Sequence, residues 1–115
     1  MSDFLLILRQ GDSDVSRQED HAALRDNFFR WTDGLRKAGK LVLVERLGTD
    51  WGKTVRQRTG AIVVDGPFTE GKEGIVGLFV IDVADIDEAI TIAQTCPLVA
   101  IGGWVEVRKG VQADG

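Results

Sequence analysis

Two short runs in this chain leave no polar side on which a strand could meet water. In Phe4–Leu8 one alternating set is Phe4, Leu6 and Leu8, and the other is Leu5 and Ile7. In Ile75–Val83 the sets are Ile75, Phe79, Ile81 and Val83 against Val76, Leu78 and Val80. Successive side chains of a strand point to opposite faces, so both runs predict central strands that are dry on both sides. Two helices, which the remaining sequence supplies, cover one face of a four-stranded sheet. The other face needs a second surface, and another copy of the chain across a two-fold axis is the simplest. A homodimer through the open sheet face is the quaternary expectation.

The elements follow from periodicity and punctuation. Phe4 to Arg9 reads as a buried strand that enters a loop at Gly11-Asp12-Ser13-Asp14. Ser16-Arg17-Gln18-Glu19 fits a capping box, and Leu24, Phe28, Trp31 and Leu35 then form one apolar helix face ending at Gly39. Leu41–Leu47, Thr54–Thr59 and Ala61–Val64 read as strands, Ala61–Val64 as a buried one, and Gly74–Val83 is the longest. Asp85 with Glu88 caps a second helix whose apolar face is Ile86, Ala89, Ile90 and Ala93, with Pro97 beyond it. Ile101–Arg108 is the last strand, its Val105 and Val107 opposite Trp104, Glu106 and Arg108. This is an α+β order, the split βαβ plan of a ferredoxin-like βαββαβ fold with an antiparallel sheet and one elaborated hairpin. Residues 1–111 read as a single domain and 112–115 as a flexible tail.

Composition excludes several function classes. At 115 residues a second folded unit is not expected, and 43% hydrophobic with 28% charged residues suits a globular chain. The net charge of −4, with scattered Lys and Arg, argues against nucleic acid as a partner. The start, Met1-Ser2-Asp3 before a short apolar run, has neither a basic signal-peptide region nor a membrane-spanning length. A cytoplasmic protein without a membrane partner is expected. Cys96 alone makes no internal disulfide; its spacing from Ile86, Ala89 and Ala93 predicts inert packing. No three residues have metal-ligand spacing, so neither metal nor cofactor is expected.

Gly48-Thr49-Asp50-Trp51-Gly52-Lys53-Thr54 imitates a phosphate-binding loop but is one residue short and runs into β sequence at Val55-Arg56-Gln57-Arg58. Gly71, Gly74 and Gly77 precede or lie in a strand and make no dinucleotide fingerprint. Asp65-Gly66-Pro67-Phe68-Thr69-Glu70-Gly71-Lys72-Glu73 is more informative. Asp65 can accept backbone N–H bonds, Gly66 and Pro67 shape the turn, and Phe68 can anchor the loop in apolar surface. A rigid turn and a ligand-facing loop fit equally well.

Asp65-Gly66-Pro67-Phe68, continued by Glu70, Lys72 and Glu73, resembles the signature of the DGPF-motif branch of the YCII-related family. The resemblance extends to Phe4–Leu8, to Ala38-Gly39-Lys40-Leu41-Val42, to Gly77–Val83 and to Cys96-Pro97 with Gly102–Arg108. It implies a dimeric α+β barrel of ferredoxin-like subunits. It implies little about activity, because most members are of unknown function. Some members are regarded as enzymes with a histidine–aspartate pair in a cleft, and one type eliminates chloride from a chlorinated hydroxyquinol. Counted back from Gly39, the place of that helix histidine falls near Phe28, and Asp65 or a loop neighbour matches the aspartate.

The single histidine, His21, continues the Leu24–Phe28 stripe backwards onto the first turn of its helix. There it is either a neutral general base or a half-buried group bonded to backbone, Glu19 or Asp20. Arg9 either holds an anionic ligand or snorkels from the sheet edge, and Glu73 pairs with Lys72 or Arg9, acts as an acid, or is solvated. Trp31 reads as core; Trp51 and Trp104 suit an interface or ligand stacking. Three functions remain open. One is binding of a small organic acid in a sheet–helix cleft lined by Arg9, His21, Asp65, Phe68 and Glu73. Another is a lyase or isomerase in which Asp65 or His21 moves the proton. The third is a dimeric adaptor without a pocket.

Overall fold

The computed structural model describes residues 2–11, 21–48, 52–65 and 73–111. Its order is β1 (Ser2–Gly11), α1 (His21–Lys37), β2 (Leu41–Arg46), β3 (Thr54–Arg58), β4 (Ala61–Asp65), β5 (Glu73–Val83), α2 (Ile86–Gln94) and β6 (Trp104–Lys109). The strands β2-β5-β1-β6 form one sheet in that spatial order, every pairing antiparallel. With α1 and α2 as its crossovers, this is the ferredoxin-like α+β arrangement. The two runs without a polar side, in β1 and β5, occupy the two central positions, where each is flanked by strands on both edges.

One face of the sheet carries the core. Phe4, Leu6 and Leu8 of β1 and Phe79, Ile81 and Val83 of β5 are buried there with Phe28 and Leu35 of α1, Ala89 and Ala93 of α2, Cys96 and Leu98. Each large side chain so buried contributes about 1.5–3 kcal/mol of transfer free energy. Trp31 is half-buried; its ring lies 4.8 Å from that of Phe79 and its indole N–H donates to Thr95 Oγ1 at 2.8 Å, tying α1 to the end of α2.

The helix ends obey local chemistry. Past α1, the Lys40 N–H donates to the Leu35 carbonyl and the Gly39 N–H to the Arg36 carbonyl, each at 3.0 Å. Gly39 takes φ +73°, the left-handed conformation that a side chain disfavours. At the start of α2 the Glu88 N–H donates to Asp85 Oδ1 at 2.9 Å, while Glu88 Oε1 accepts from the Ala84 N–H at 3.0 Å. The box therefore closes one residue earlier than the standard motif. The Ser16–Glu19 box expected ahead of α1 lies outside the described residues.

Four expectations are corrected. Ile86 and Ile90 of α2 are exposed, and Ile92 packs on the core in their stead, because the helix turns its Ala89–Ala93 edge to the sheet. Residues Val99–Ile101 form a short 3-10 turn, so the last strand starts later, at Trp104. The register between β1 and β5 shifts at Leu8/Arg9, moving Val76 to the helix side while Ile75 pairs with Arg9. Finally, Ala61–Val64 is not buried: Ile62 is 69% and Val64 60% exposed. Among the described residues β3 and β4 pair only with each other, and the two-stranded ribbon leaves its apolar residues exposed.

The second face of the main sheet holds Leu5, Ile7, Leu78 and Val80, none fully buried, with Leu43 of β2 55% exposed. Toward β6 it carries Trp104, Glu106 and Arg108 beside Arg9. This is the apolar open face expected of the two central strands.

Candidate functional site

Between α1 and the β2–β5 side of the sheet lies a cleft of about 330 Å³. Its floor is Leu8, Gly77 and Phe79, and the displaced Val76 belongs to its lining. Gly77 helps to make the hollow: a Cβ placed there would touch the Glu45 carbonyl at 3.5 Å and Leu8 Cδ2 at 3.6 Å. Leu24 and Phe28 contribute from α1, and Leu47 and Leu98 complete the apolar lining.

The polar lining is sparse and of one sign. Among the described residues Gln10, Arg25 and Arg46 are its only polar side chains and no carboxylate lines it. Arg46, across from Gly77 at the end of β2, holds its guanidinium carbon 5.7 Å from the centroid of the Phe28 ring. A cation over an aromatic face is steadied by about 0.5–1 kcal/mol without its charge being neutralised. Apolar walls with a few convergent cationic donors suit an organic anion with a hydrocarbon body.

The expected site residues are only partly gathered here. Arg9 does not line this cleft: it lies on central strand β1 rather than at a sheet edge, and its Nε is 3.3 Å from Glu106 Oε1. Glu106 also takes Arg108 at 3.1 Å. His21 is the first residue of α1, one turn ahead of Leu24 and Arg25. Asp65 is the last residue of β4, opposite Thr54, and Glu73 is the first of β5, opposite Gly11. Phe68 and the rest of its loop lie outside the described residues. Phe28, near the place of the family's helix histidine, is part of the cleft wall.

Arg25 and Arg46 were not expected. Their signal was faint: Arg25 stands three positions before Phe28 beside the apolar stripe, and Arg46 ends an aliphatic strand. Neither pattern differs from ordinary surface arginine. Cys96 is buried, and burial pushes its thiol up to about 11, which keeps it protonated and unreactive at neutral pH. Among the described residues, no group of three or more His, Cys, Asp or Glu is placed to hold a metal ion, and no helix is long and apolar enough to cross a membrane.

The model of the YCII-related domain matches residues 3–109 of the chain, which spans both helices and every strand of the fold. The chain belongs to the YCII-related family. This YCII-related domain is also similar to an uncharacterized protein of Rhizobium meliloti (strain 1021), at 41% identity over 81 residues. That alignment covers 69% of the present chain and 64% of the relative, so the YCII-related chain matches somewhat less than two-thirds of the relative's length.

Proposed function

We propose that this YCII-related domain binds a small organic acid with an apolar or aromatic body in the cleft between α1 and the sheet. The observation that carries this reading is the pair Arg25 and Arg46 on an otherwise largely apolar lining that has no carboxylate among the described residues. The acid group sits between the two guanidinium groups, and the hydrocarbon part lies against Phe28. Such a site is pre-formed, because the floor belongs to the two central strands of the sheet. The unit that binds is a homodimer: the Leu5, Ile7, Leu43, Leu78 and Val80 face is apolar and faces away from α1, so pairing through it leaves the cleft open.

Thermal shift and calorimetry with a panel of aromatic and aliphatic monocarboxylates test the reading. A ligand at about a hundred times its dissociation constant stabilises the fold by roughly 2.7 kcal/mol, readily seen as a raised melting temperature. Arg46→Met and Arg25→Met should each abolish the shift while the free variants melt near the parent. Binding that survives both substitutions, or no binding across the panel, refutes the cleft as the site.

A further inference from the structure

The cleft does not stop at Arg46. On the other side of the Phe28–Arg46 contact a second hollow of about 400 Å³ runs outward along α1 and β2. Its α1 wall is Arg25, Phe29, Thr32 and Arg36, which recur at the spacing of a single helix stripe, immediately beside the Leu24–Phe28–Trp31–Leu35 stripe that faces the core. Val44 and Arg46 supply the opposite wall from β2. The two hollows share Arg25, Phe28 and Arg46, so they are adjoining compartments of one groove.

The distribution of charge along that groove is one-sided. Among the described residues every ionisable side chain on either lining is an arginine, in a chain whose net charge is −4. Arg25 and Arg36 stand about three turns apart, roughly 16 Å along the helix axis. Between them Phe29, 70% exposed, offers an aromatic surface that nothing in the described chain covers. Arg36 is available for a ligand: its one ion pair among the described residues is a long 3.9 Å approach to Asp33 Oδ1, and Asp33 is held more closely by Lys37 at 3.0 Å.

We infer that the ligand is an elongated aromatic molecule with an anionic group at each end, one held by Arg25 and Arg46 and the other reaching Arg36. This rests on the binding reading above and narrows its ligand class. The aromatic body lies along Phe28, over whose ring Arg46 is held, and Phe29, and the second acid group displaces the weak Arg36–Asp33 contact. The Asp33–Lys37 pair stays in place. A single acid group would leave Arg36 and the outer compartment unused.

A matched pair of probes isolates the second charge: biphenyl-4-carboxylate and biphenyl-4,4′-dicarboxylate, with biphenyl-4,4′-diphosphonate as a third arm. Calorimetry on the full chain should show either dianion binding roughly three- to tenfold tighter than the monoanion, the gain of one exposed charge-assisted contact. The tighter of the two dianions then names the acid group. Arg36→Gln should remove that advantage and leave monoanion affinity unchanged, whereas Arg46→Gln should weaken all three. Equal affinity of monoanion and dianions, or a dianion advantage that persists in Arg36→Gln, overturns the dianion inference while leaving the cleft standing. Monoanion binding that is absent, or indifferent to Arg46→Gln, overturns the cleft reading itself and the dianion inference with it.

Discussion

Gly103 is the position where one added carbon should cost most. A Cβ there would lie 2.4 Å from Leu98 Cγ, 2.9 Å from Leu98 Cδ2 and 2.8 Å from the Arg9 carbonyl oxygen. Its φ lies outside the left-handed region, unlike that of Gly102 at +101°, so a side chain at this position is strained by contact alone. The Leu98 side chain is pinned in the core at 2% exposure, and the Arg9 carbonyl belongs to central strand β1. Neither obstacle yields cheaply. Gly103→Ala should therefore destabilise by about 2–3 kcal/mol, the upper part of the usual overpacking range. Leu98→Ala alone should cost about 2–4 kcal/mol for lost burial and the cavity left behind. In the double variant Leu98 no longer obstructs and only the Arg9 carbonyl does. The cost of Gly103→Ala in that background should fall to about 1 kcal/mol, a coupling of about 1–2 kcal/mol. Urea unfolding of the four proteins at one fixed protomer concentration measures the cycle, with the m-value serving to check that the transition stays the same. Additive costs within about 0.5 kcal/mol, or a Gly103→Ala variant as stable as the parent, would refute the packing described for the 98–103 turn.

Other outcomes follow from particular residues. Gly39→Ala meets nothing within 4 Å, so it should cost only the left-handed backbone penalty of about 1 kcal/mol, read as a melting temperature lower by about 4 °C. The hydrogen bond from Lys40, 2.7 Å from Glu88 Oε2, and then the Ala84 N–H hold the Glu88 carboxyl below its ordinary 4.5. That contribution is present above 4.5 and lost as the pH falls through the lowered value, so the stability gap between the parent and Lys40→Met should narrow on acidification; a gap constant from about pH 7 to about pH 3 would contradict it. Cys96 should resist thiol reagents at neutral pH in the folded protein and react fully in denaturant, whereas fast labelling of the native state would show that the site is open. Leu78→Glu on the open face should convert a dimer to monomers in sedimentation equilibrium, and an unchanged mass would place any dimer contact elsewhere.

The elements themselves were legible because periodicity and capping are local. The Leu24–Leu35 stripe, the Gly39 stop and the Asp85–Glu88 cap each depend on neighbours within a turn, and each is realised. The central strands were legible for a different reason: a run apolar on both alternating sets, such as Phe4–Leu8, suits a position paired on both edges. What alternation does not encode is an inserted residue, so the register shift at Leu8/Arg9 that brings Val76 into the cleft has no signature in the pattern. Nor does a β-branched run say whether anything covers it, which is why Ala61–Val64 reads as buried. A cleft between sheet and first helix is legible in the order of elements. Its arginines are not, since an arginine beside an apolar stripe is the commonest surface pattern a helix has.

The placement of β1 has a consequence for how the chain is made. Its two neighbours in the sheet, β5 and β6, begin at Glu73 and Trp104, far along the chain from Gly11, where β1 ends. At ordinary rates of synthesis the ribosome needs roughly 3–12 s to get from the end of β1 to the start of β5. Throughout that interval neither of the strands that pair with β1 has been made. β1 is thus made well before either of the strands that enclose its two edges. During that interval, more than in the folded state, an unpaired β1 edge is open to mispairing.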